Sequence, residues 1–245
     1  MTQSIKKQHG VTLVEIAIVL VVIGLLLGGI LKGQELINNA KVRAMAERQS
    51  SIKTAWFAFL DRYQAMPGDY ADADKYIPGA APGGGDGIIA KNESPIVFQH
   101  LSGAGLLRCS QCTASVAATI SVDNSLLNSY GGIMSIFNDE EFYAAVGDNA
   151  SKPNKSRLQI HTGPRIPSNI ITEVDLKIDD GAANTGDLVF NNYDPSDADA
   201  PEADECMGPS AHADTHLVTE DSRDWRHVDA SGGAVESNCG ASAPI

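Results

Sequence analysis

The chain has 245 residues and a net charge of −13, and that charge is unevenly placed. Residues 32–65 carry six Lys/Arg against three Asp/Glu, whereas residues 66–245 carry ten against twenty-seven. A surface this acidic repels nucleic acid and argues against a nucleic-acid partner; about 180 residues are left for one globular head with its own core.

At the amino terminus, Lys6 and Lys7 precede Gly10-Val11-Thr12-Leu13-Val14-Glu15, and the sixteen residues Ile16 to Leu31 carry no charge. That run is long enough to enter a bilayer, and the positive-inside rule keeps the two lysines cytoplasmic and exports everything after Leu31. A lone carboxylate at membrane depth costs roughly 2.5–3.5 kcal/mol, so Glu15 calls for a cation. Cutting after Gly10 creates one, the new amine of Val11. An ordinary signal peptide also puts Lys before an apolar run, but no A-x-A-like cleavage site follows Leu31. Gly24, Gly28, Gly29 and Gly33 form two successive G-x-x-x-G spacings, which let helix backbones approach closely.

Helical periodicity continues beyond the apolar run. Leu36/Ile37, Ala40, Ala44/Met45, Ile52, Trp56, Phe59/Leu60 and Tyr63 recur every three to four residues, and Pro67-Gly68-Asp69 stops the pattern. The sequence therefore predicts a helix from about Thr12 to Ala65, with Ile52 to Tyr63 as a core face. Residues 72–87 read as loop from their Pro and Gly content. Ser94 reads as an N-cap with Pro95 at the first helical position, opening a short helix that ends at Gly105. A second short helix is expected from Ser168 to the stop at Asp180-Gly181. Strands are expected at Ser115–Val122, Gly132–Phe137, Arg157–Thr162, Gly186–Phe190 and His216–Thr219, forming an antiparallel sheet. The last fifty residues, poor in apolar groups, are expected to lie on the surface, held by something other than packing.

Cys109, Cys112, Cys206 and Cys239 all fall on the exported side, where disulfides persist. Three connectivities are open; the parsimonious one joins Cys109 to Cys112 and Cys206 to Cys239, and the second bridge would close a loop of about 34 residues, contributing on the order of 3–4 kcal/mol. A redox reading of C-x-x-C would need Cys109 at a helix N-terminus, and a zinc reading would need a second close pair. His212 and His216 lie four apart in a stretch that reads as loop. Asp179, Asp180, Asn184 and Asp187 offer oxygen ligands for calcium, with Asp194, Asp197, Asp199 and Asp204 as a second acidic run, though neither has EF-hand spacing. No nucleophile-elbow, phosphate-loop, dinucleotide-binding or metalloprotease pattern occurs, and the chain is not expected to be an enzyme.

Lys6 to Gly10, then Val11 to Glu15 and the apolar run, resemble the leader of type IV pilins and type II secretion pseudopilins. The resemblance implies an α+β, pilin-like fold, a long N-terminal helix packed on an antiparallel sheet. It divides the chain into a leader (1–10), a helix (11–65, its assembly half 11–31) and an exported head (66–245). It implies that a prepilin peptidase cuts between Gly10 and Val11 and N-methylates Val11, and that Glu15 guides docking into a filament of like subunits. An inner-membrane assembly platform with a motor ATPase is the further implied partner. The disulfide-closed C-terminal region is similar to the exposed, variable loop of many pilins, and calcium is the one ion the family's heads suggest. Val11 stands where Phe or Met is commoner, and no helix-bending Pro occurs between Met1 and Ala65. Met66-Pro67-Gly68-Asp69 with Gly85-Asp86-Gly87, Gln99 to Leu106, and Asp175 to Gly181 resemble the head of a bacterial prepilin-type subgroup. The rival expectation is a membrane-anchored periplasmic enzyme or binding module that joins no filament.

Overall fold

The structure is a computed structural model and describes residues 13–113, 119–139, 156–183, 185–195, 200–201, 206–208, 224–225 and 238–245. Helix α1 runs unbroken from Leu13 to Tyr63. It passes through two compact units that divide between Lys41 and Val42. Within the second unit Val42, Met45, Gln49, Ile52, Ala55, Trp56 and Phe59 are its buried residues, a three-and-four spacing that places one stripe against the head.

After α1 come α2 (Ala73–Tyr76), a 3-10 turn (Lys91–Glu93), α3 (Ser94–Gly103), β1 (Ser135–Asp139), β2 (Arg157–His161), α4 (Ser168–Ile178), β3 (Val189–Phe190), β4 (Met207–Gly208), β5 (Asp224–Trp225) and β6 (Ala241–Pro244). The main sheet has the order β1-β2-β6-β3 and every pairing is antiparallel. The architecture is α+β and pilin-like, a long N-terminal helix followed by a small antiparallel sheet.

Register decides which side chains meet α1. Ile136 pairs with Ile160 and Ile160 with Ala243, so this face is apolar. Ile136 and Ile160 join Ile52, Trp56, Phe59, Val97, Phe98 and Leu101 in one core. A second core gathers Val42 and Met45 of α1 with Ile170, Ile171 and Val174 of α4, Phe190, Trp225 and both Cys206 and Cys239. The outer edge of β1 is closed by other parts of the chain: Ile136 N–H donates to Ser94 Oγ (2.8 Å) and Asn138 N–H to Ile89 O (2.8 Å). Such closure blocks edge-to-edge pairing with another sheet.

Several expectations need correction. Ser94 does not cap α3: it is its first residue, and its hydroxyl serves β1. A four-residue helix, α2, interrupts the expected loop of residues 72–87. The strand expected at Ser115–Val122 is absent over 119–122, residues 115–118 lying outside the described ones, and His216–Thr219 lies wholly outside them. The strand expected from Gly132 begins only at Ser135, and that expected from Gly186 begins only at Val189. The carboxyl end holds a central strand, β6, whose Ala241, Ser242 and Ala243 are buried. Its small side chains carry no strand pattern, and packing joins the Cys206–Cys239 bridge in holding this end.

Candidate functional site

Gly10 and Val11 lie outside the described residues. Glu15 sits in the first turn of α1, where the positive end of the helix dipole favours a carboxylate. From Leu13 to Leu31 the large apolar side chains are all exposed, Leu13 at 90% and Leu25 at 74%. Lys32 and Glu35, paired at 2.7 Å, mark the end of the run. Nothing lies within 4 Å of where a Cβ would project from Gly24, Gly28, Gly29 or Gly33. Glycine inside a helix costs up to about 1 kcal/mol relative to alanine, and no contact among the described residues explains these four. Among the described residues α1 is the helix long and apolar enough to cross a membrane.

In the head, two of the subgroup stretches meet. Asp69 follows the turn that ends α1, and its carboxylate accepts from the amides of Asp86 (2.9 Å) and Gly87 (3.0 Å). Gly68 takes φ +94°, and its N–H donates to Nδ1 of His100 on α3 (3.0 Å). The other ring nitrogen, Nε2, lies 2.6 Å from Ala81 O. Gln99 adds two bonds, accepting from Ala81 N–H (2.8 Å) and donating to Gly79 O (3.0 Å). Gly83 is required here, because a Cβ on it would collide with the Gly68 carbonyl and the Asp69 backbone. These residues fasten the loop after α1 onto α3, a structural role that sequence spacing did not reveal.

Cys109 is bonded to Cys112 and Cys206 to Cys239. The second bridge adjoins the β4–β5 ribbon, which delivers Trp225 into the second core at 1% exposure. Trp225 Nε1–H donates to Asp175 Oδ2 of α4 at 2.7 Å. Sequence reasoning missed this pair because fifty residues separate its members. Burial raises the Asp175 carboxyl to about 7, with Asp180 and Asp179 adding to the rise and the Trp225 bond opposing it.

Asp175, Asp179 and Asp180 hold carboxylate oxygens within 4.8 Å of one another. Of the residues expected to bind calcium, Asp179 accepts from the backbone amides of Asp187 and Leu188, and Asp180 accepts from Ala182 N–H (2.9 Å) and the Thr185 hydroxyl (2.7 Å). Asn184 lies outside the described residues. Asp187 contributes its amide to this turn. Calcium takes six to eight oxygens, and the described residues bring three carboxylates together, most of whose oxygens already accept hydrogen bonds. Asp194 of the second acidic run is buried, with 6% exposure, whereas Asp197, Asp199 and Asp204 lie outside the described residues, as do His212 and His216.

The sheet face away from the apolar row is polar but buried. His161 stacks on Phe137 (4.2 Å) beside Tyr193 (5.0 Å), with Asp139 Oδ2 3.8 Å from Nε2. Burial pushes His161 down to about 4, against the pull of Asp139, so it is neutral at ordinary pH. Nothing in this cluster sets a nucleophile beside a base.

The family model described as the prokaryotic N-terminal methylation motif matches residues 5–31. No curated protein and no solved structure matches the chain. The chain thus carries the prepilin-type signature of type IV pilins and pseudopilins, on a pilin-like α+β architecture. That signature and the apolar α1 together fit anchoring in the inner membrane.

Proposed function

We propose that this protein is a structural subunit of a type IV pilus or a type II secretion-like pseudopilus. The observation that carries the reading is that the exposed apolar half of α1 lies within the segment matched by the methylation motif. Residues 1–10 act as the leader, 11–65 as the helix and 66–245 as the exported head. Prepilin peptidase cuts between Gly10 and Val11 and methylates the Val11 amine. Lipid covers Ile16 to Leu31 before assembly, and helices of neighbouring subunits cover it afterwards. Lipid tails are as apolar as leucine, so close packing at Gly24, Gly28, Gly29 and Gly33, not water exclusion, favours the helix bundle. Glu15 meets the Val11 amine of an adjacent subunit; without that cation a carboxylate inside the bundle is costly, and the pair sets the register. An inner-membrane platform with a motor ATPase supplies the work, and the filament reaches from the inner membrane toward the cell surface.

Mass spectrometry of the mature protein tests processing: the expected first residue is methylated Val11, and a first residue beyond Leu31 refutes the reading. Glu15→Ala tests assembly, with loss of incorporation into filaments expected while the protein stays folded in the membrane. Normal polymerisation of that variant would refute the Glu15–Val11 pairing, and absence of the wild-type protein from filaments would favour the rival, a head for which the helix is only an anchor.

A further inference from the structure

We propose that His100 is a proton-sensitive clasp on the loop from Gly68 to Gly87, closed while its ring carries one proton and released when the ring takes a second. The geometry fixes the proton. Gly68 offers an N–H, so Nδ1 must accept it; Ala81 offers a carbonyl oxygen, so Nε2–H must donate to it. A second proton on Nδ1 would set N–H against N–H and leave the buried Gly68 amide without its acceptor, a costly defect in an interior.

The surroundings give a doubly protonated ring little help. His100 is fully buried, and from α1 it meets the ring of Phe59, stacked at 5.9 Å and 7°. The loop brings the Gly68 amide and the Ala81 carbonyl, and α3 itself adds Gln99, which is uncharged. Among the described residues, Asp69 beside Gly68 has its carboxylate held by the amides of Asp86 and Gly87, and the phenols Tyr63 and Tyr70 pack on Phe59 at 4.5 and 6.4 Å. Burial accordingly pushes the ring below its usual 6.5, and the Ala81 bond only partly opposes this. The clasp is closed at neutral pH and opens in acid.

Opening frees the Gly68 end first. There the backbone lies against Val97 and Ile89, which belong to the same core as Phe59. The loop bears Asp72, Asp74 and Asp86 and the exposed ring of Tyr76, so acid would unfasten an acidic surface element and leave the sheet standing.

Hydrogen exchange of the full chain in detergent, read from pH 8 to pH 4.5, tests this when the loop amides of Gly68, Ala81 and Gly83 are compared with Ile136 and Ile160 of the sheet. Opening of the loop relative to the sheet should rise by up to about tenfold per pH unit below the ring's pKa. His100→Gln, which offers both an acceptor and a donor, should abolish that slope. A flat ratio in the wild type, or an equal slope in the variant, overturns the proposal. If the variant does not fold, the carbon-bound ring proton of His100 decides in the wild type: opening must track its titration, and opening while the ring stays singly protonated overturns the proposal.

Discussion

At the scale of single residues, Asp175 shows how much a side chain's chemistry depends on a distant partner. Its neighbours Leu176, Lys177 and Ile178 make it look like an exposed acid near a helix end, yet it is buried under Trp225. Its carboxyl titrates near 7 in the fold, against about 3.8 in the unfolded chain. The unfolded chain therefore releases this proton first, and stability from the group is fully present below about pH 3.8 and lost as the pH rises through 7. Asp175→Asn keeps an acceptor for the indole and removes the titration. It should be more stable than the wild type by about 1–3 kcal/mol at pH 8 and show no such advantage at pH 4, measured by denaturant unfolding at both. A gap that does not change with pH would mean that Asp175 ionises freely in the fold. The short motifs around Asp69 and His100 could be seen in the sequence, but their joint work could not, because each supplies half of a hydrogen bond whose other half lies 17 to 32 residues away.

Among elements, α1 was the most legible. Three-to-four periodicity marks Ile52, Trp56 and Phe59 as one face, and all are at 2% exposure or less. The same period puts Phe57 on the other side, and it is 57% exposed. These two phenylalanines therefore make a matched test within one helix. Phe59→Ala removes a ring from the core and should cost about 3–5 kcal/mol, while Phe57→Ala should change stability by less than about 0.5 kcal/mol. Equal losses in chemical denaturation would show that the buried stripe is misassigned. The strands were legible only where branched or aromatic residues alternate, as in Ile136, Phe137, Leu158 and Ile160. β6 is Ala-Ser-Ala-Pro, and small residues suit it because it lies between β2 and β3 with Ala241, Ser242 and Ala243 buried, which no local pattern records.

For the whole molecule, the two disulfides differ in what they constrain. Cys109 and Cys112 are three residues apart, and Cys206 and Cys239 are thirty-three apart. Loop-closure entropy in the unfolded chain grows with the logarithm of loop length, which makes the short bridge worth about 2 kcal/mol and the long one about 4. The long bridge also lies in the second core, at 0% exposure for both cysteines, one residue from the segment that leads into β6. Replacing Cys206 and Cys239 together by serine should therefore lower stability by about 2 kcal/mol more than replacing Cys109 and Cys112. It should also loosen the sheet at its centre, since Cys239 exchanges backbone hydrogen bonds with Ile166 (2.8 and 3.1 Å) and Ala241 pairs with Phe190. Denaturant melts of the two double variants give the first difference, and hydrogen exchange at Thr162 and Asn191, whose amides donate to Ala241 and Gly240, gives the second. Melts that coincide, with those two amides equally protected in both variants, would show that packing alone holds the carboxyl end.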